Sequence, residues 1–68
     1  MAMEPYQLRV VEEKSELDHK ISLLRAFLDS GRVDRLDSAE RDRMQLQLSA
    51  MALYSHMLAE RIANFVEA

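Results

Sequence analysis

The sequence predicts an all-α protein: an antiparallel two-helix hairpin that assembles into a homo-oligomer. Three observations predict it. Two long stretches repeat apolar residues at three- and four-residue spacing, the period of an amphipathic helix. The one proline, Pro5, and the one glycine, Gly31, stand at the two edges of the first stretch. The second stretch carries an additional apolar stripe that a lone hairpin would leave in water.

Length makes the third observation weigh more. The 68 residues allow a single hairpin domain, residues 1–68. A chain this size buries only about 60% of the surface it exposes when unfolded. Such small scaffolds need disulfides, a metal or partner subunits. Cysteine is absent, which excludes disulfides and thiolate metal sites. His19 and His56 are the only imidazoles and read as solvated helix residues, so no metal site is expected. Oligomerisation is left as the staple.

The first helix is expected over about 5–29. Pro5 suits the first helical turn, where its missing N–H costs nothing. Tyr6, Val10, Leu17, Ile21, Leu24 and Leu28 form its apolar stripe, interrupted near the middle by Glu13 and Lys14. Glu12, Glu13 and Glu16 put negative charge in its first half, where the helix dipole favours it. Gly31 suits the position just past a helix end.

A connection follows over about 30–37, containing "GRVDRLD". Val33 and Leu36 are expected to tuck back against the helix ends. "DSAE", residues 37–40, is a capping-box variant: Asp37 accepts from first-turn N–H groups and Glu40 reaches back. The second helix is expected over about 38–66. Its core stripe is Met44, Leu48, Met51, Ser55, Leu58, Ile62 and Phe65, with Ser55 its only polar member. A short link between two long helices gives an antiparallel αα-hairpin.

The additional stripe is Leu46, Ala50, Leu53 and Met57, nearly opposite the core face. Leu8, Leu23 and Ala26 add apolar surface on the outside of the first helix. Burying one Leu or Met is worth about 1.5–3 kcal/mol, so a seam between subunits is the economical use of this stripe. A different protein as the partner is the alternative.

Charge and motifs narrow the function. The formal net charge is −3 and there is no Lys/Arg run. That argues against a nucleic-acid polymer as partner, but a small phosphorylated ligand can be held by a few placed cations. No apolar run approaches the ~18 residues of a membrane-spanning helix. The N-terminal "MAMEPYQLR" lacks the apolar core of a signal peptide, so a cytoplasmic protein is expected. A Gly-rich phosphate loop, a zinc-protease helix motif, a nucleophile elbow and a cysteine nucleophile are all missing. Ser55 and His56 are adjacent on a helix and do not face each other. No catalytic residue, no cofactor and no enzyme activity are expected.

Binding residues are better represented. Tyr6, in the first turn, can stack on a base while its hydroxyl bonds to a phosphate or a neighbour. Arg9, Glu13 and Lys20 share its flank, beside the core stripe. The plainer alternative is that Tyr6 merely ends the stripe and Lys20 snorkels at its boundary. Arg43 and Arg61 hold a comparable boundary on the second helix, where Arg61 can pair with an acid or point at a phosphate.

The segment "PYQLRVVEEKSELDHKISLLRAFLDS" and the later "LDSAERDRMQLQLSAMALYSHMLAERIANF" together resemble a family of small phage proteins. These are helical-hairpin sponges for cyclic oligonucleotide signals, which counter bacterial CBASS defence, and a related hairpin occurs in anti-Thoeris sponges. The marks are "RVVEEKSELDHKI", the "FLDS" helix end and M-x-x-Y-S-x-x-L-x-E-R-I, in this order, and the resemblance runs from about Glu4 to Phe65. It implies a homohexamer built as a trimer of dimers, in the cytoplasm of an infected bacterial host. It implies cyclic dinucleotides bound between subunits, with Tyr6 stacking on a base and Lys20 meeting phosphate. Arg9 is placed in the same site by its shared flank. The resemblance further implies a separate cyclic-trinucleotide site with Arg61, helped by Ser22. No bond is broken in either site. The competing reading is an interaction module that uses the same hairpin and binds no nucleotide.

Overall fold

Pro5 opens the first helix, α1, which runs Pro5–Asp29. The structure, a computed structural model, describes residues 3–65. Glu4 caps α1 in extended conformation, and its N–H donates to the Gln7 side-chain oxygen at 2.8 Å. That bond satisfies a backbone donor at the helix start and explains why the amide of Gln7 is buried. The cap therefore lies at Glu4 and Gln7. The acids expected to favour the helix start are absent from the first turn, beyond which the dipole effect fades.

Ser30 ends α1. Its hydroxyl donates to the Phe27 carbonyl at 2.7 Å and accepts from the Arg32 N–H at 3.3 Å. A short 3₁₀ helix, Gly31–Arg35, makes the connection. Gly31 starts this turn without adopting a positive φ, so the helix stop comes from the serine and not from a left-handed glycine. Val33 and Leu36 are half-buried, and the Arg32 guanidinium lies 5.7 Å from the Phe27 ring centroid.

The second helix, α2, runs Ser38–Ala63. Asp37 Oδ1 accepts the Glu40 N–H at 2.8 Å. The reciprocal half of the capping box is not formed, because the Glu40 carboxylate instead takes the Arg43 Nε–H at 2.8 Å. Helix α2 stops at Ala63, short of the expected end, and Val66 lies outside the described residues.

The two helices pack antiparallel into a rod 51 Å long and 14 Å across. Val10, Leu17 and Ile21 of α1 close on Leu58 of α2, which is 1% exposed. Leu48, Met51, Ile62 and Phe65 pack against that cluster. The 3.6-residue period puts these positions on one side of each helix, so the core is a single thin seam. Two cylinders in contact cannot bury more, and the outer faces remain exposed. No helix among the described residues is long and apolar enough to cross a membrane.

Candidate functional site

The open end of the hairpin, away from the 3₁₀ turn, brings the start of α1 against the end of α2. There Tyr6 meets Phe65 edge-on, with ring centroids 5.9 Å apart and planes at 74°. The Gln7 side-chain N–H approaches the Tyr6 hydroxyl at 3.5 Å. Tyr6 is 50% exposed, so it is not the core member its place in the stripe suggests. One edge of the ring rests on Phe65 and the rest is available to a ligand or a second subunit.

Arg9 follows one turn later, also exposed. Arg61 stands one turn before Phe65 and is exposed as well. Tyr6, Arg9 and Arg61 are thus gathered at the same end of the rod. Lys20 is not with them: it is 14 residues beyond Tyr6, about 21 Å along α1 at 1.5 Å per residue. Ser22 lies farther still, on an exposed face near mid-rod. A single chain therefore does not bring Tyr6 to Lys20, or Ser22 to Arg61.

Charge points the same way. Glu12, Glu13 and Glu16 are exposed on the flank between Arg9 and Lys20. Three carboxylates beside two cations do not make a positive groove. Among the described residues, Arg9, Lys20 and Arg61 have no acidic partner within 4.0 Å.

A polar tie crosses the seam at its middle. Lys14 Nζ donates to Asp18 Oδ2 at 2.6 Å, and Ser55 Oγ donates to Asp18 Oδ1 at 2.5 Å. The hydrogen bond from Lys14 holds the Asp18 carboxyl below its ordinary range, the one from Ser55 adds to this, and partial desolvation opposes both. Lys14 looked like a break in the stripe and Ser55 like a polar intruder. They are the two ends of one connection. A serine at a core position, with an i,i+4 Lys–Asp pair opposite, was the available signal.

The additional stripe of α2 is exposed along its length. Leu46 is 70% exposed, Leu53 is 63% exposed, and Ala50 and Met57 are exposed too. Tyr54, beside them, is a further exposed aromatic that the stripe pattern had not singled out. Groups of three or more His, Asp or Glu side chains able to hold a metal are absent among the described residues.

Known proteins resemble this chain in sequence. The family model described as Sequestin matches residues 4–64. The chain belongs to the Sequestin family. A relative from Enterobacteria phage T4 is 37% identical over 60 residues, which is 88% of this chain and 94% of that protein. It is described as an uncharacterized 7.5 kDa protein in the denB-rIIB intergenic region. No solved structure matches the chain. The Sequestin match covers both helices and the turn, so the phage-family resemblance in the sequence holds across the whole hairpin. The family name denotes sequestration, a binding role.

Proposed function

We propose that this protein is a phage anti-defence factor that binds cyclic di- and trinucleotide signals and sequesters them without hydrolysis. It acts as a homo-oligomer, a hexamer, in the cytoplasm of the infected host. Membership of the Sequestin family carries this reading, and the half-exposed Tyr6 ring with the exposed Arg9, Lys20 and Arg61 supports it. Tyr6 stacks on a base, and Arg9 and Lys20 neutralise phosphates of a cyclic dinucleotide. Ser22 and Arg61 serve the cyclic trinucleotide.

The spacing along the rod supports a site shared between subunits. Tyr6 and Lys20 are separated by about 21 Å along α1 in one chain, a span that a second subunit's side chains would shorten for a compact cyclic dinucleotide. In the proposed assembly each pocket lies between subunits and combines the end of one hairpin with the middle of another. Assembly also supplies the cations that offset Glu12, Glu13 and Glu16. A sponge needs affinity without turnover, which fits a site of aromatic and cationic groups with no nucleophile or base pair.

Calorimetric titration with a panel of cyclic di- and trinucleotides tests this, with thermal shift as a second readout. Saturable binding supports the reading; no binding of any member at micromolar concentration overturns it.

The exposed Leu46, Leu53 and Met57 favour a second reading, in which the hairpin docks on a different protein and takes no nucleotide. A monomer in light scattering at tens of micromolar would favour that reading.

A further inference from the structure

The exposed face of α2 has an internal symmetry. Arg43, Leu46, Ala50, Leu53, Met57 and Glu60 follow one another at alternating spacings of three and four, the heptad pattern of a helix-pairing seam. Each member has a counterpart at equal distance from a point between Met51 and Ala52: Ala50 with Leu53, Leu46 with Met57, Arg43 with Glu60. All six are exposed.

From this we infer that α2 pairs with α2 of a second copy, antiparallel, about a twofold axis passing between Met51 and Ala52. An isologous interface must be self-complementary under its twofold, and this face is. In the antiparallel register the small Ala50 of each copy receives the partner's Leu53, and Leu46 meets the partner's Met57. These two kinds of layer, each repeated by symmetry, form the apolar centre. At both ends Arg43 faces the partner's Glu60, closing the seam with opposite charges. A parallel pairing in the same register sets arginine against arginine and glutamate against glutamate. The charges at the two ends thus choose both the occupant, a second copy, and its direction. Among the described residues of one chain, Arg43 pairs with the partly exposed Glu40 at 2.8 Å and Glu60 with exposed His56 at 3.1 Å. Both remain able to reach across.

This pairing rests on the self-assembly proposed above but not on any nucleotide ligand. The natural absence of cysteine makes it testable by site-directed disulfides. Leu46→Cys and Met57→Cys chains are prepared separately, mixed and oxidised, beside each one alone. The antiparallel register predicts efficient cross-linking of the mixture and little of either variant alone, since like positions are about 16 Å apart along the axis. Glu60→Arg should weaken dimerisation by roughly tenfold, and adding Arg43→Glu to the same chain should restore it. An oligomer that cross-links Leu46→Cys to itself, or fails to cross-link the mixture, overturns the antiparallel register while leaving self-assembly intact. A wild-type monomer in light scattering overturns both.

Discussion

Ser55 Oγ donates to Asp18 Oδ1 at 2.5 Å, tying the middle of α2 to the middle of α1. Asp18 also takes the ammonium of Lys14, so one carboxylate is shared between an intrahelical and an interhelical donor. Apolar side chains can slide along a thin seam, whereas this bond has one geometry. It sets the register that brings Tyr6 to Phe65 at the open end.

The tie should make the hairpin acid-sensitive. Asp18 is held below its ordinary value of 3.8 by the Lys14 and Ser55 hydrogen bonds. The unfolded chain then binds a proton that the folded chain resists, so the contribution is complete above 3.8, declines as pH falls further, and is lost below the lowered folded value. Asp18→Asn removes this dependence. In thermal melts the gap between wild type and Asp18→Asn should narrow from about pH 6 to about pH 3. A constant gap would remove Asp18 from the acid response.

Leu58 is the best-buried side chain in a core of few residues. Leu58→Ala should cost about 2–5 kcal/mol, through lost burial and the cavity left behind. Small domains are held by about 5–15 kcal/mol, so the melting temperature should drop sharply by circular dichroism. An unchanged melt would mean that contacts outside the hairpin seam, such as those of the proposed oligomer, carry the stability.

Tyr6→Ala should weaken cyclic-dinucleotide binding by about 1–3 kcal/mol, the worth of one base–aromatic stack, with little loss of helicity. The exposed half of the ring contributes little to the fold. Calorimetry and circular dichroism on the same sample separate the two effects. Unchanged affinity would remove Tyr6 from the site.

Leu53→Glu places a carboxylate in the middle of the exposed stripe of α2. If the proposed assembly holds, the substitution should give smaller species in light scattering and abolish ligand binding with it, because the proposed pockets lie between subunits. A retained hexamer would show that another face makes the assembly.

The hairpin itself was legible in the sequence because two stripes of period 3.6, one proline and an Asp cap are local signals. The core members Val10, Leu17, Ile21 and Leu58 lie on those stripes. Three features resisted. The Gln7 cap replaced an expected contribution from acids that lie too far along α1. Ser30, and not Gly31, stopped that helix. The Lys14–Asp18–Ser55 tie joins residues distant in the chain, and periodicity weighs polarity without pairing it. Tyr6, Arg9, Lys20, Ser22 and Arg61 were chosen by residue type and resemblance. Their distribution along the rod became visible only with the helices placed, and it is the reason the proposed sites are shared between subunits.

Titration of the wild-type protein with cyclic di- and trinucleotides, followed by release and chromatography of the bound nucleotide, tests the account most directly. Saturable, high-affinity binding with the nucleotide recovered intact is the predicted result. No binding of any cyclic nucleotide at micromolar concentration, or recovery of a linearised product, would contradict it.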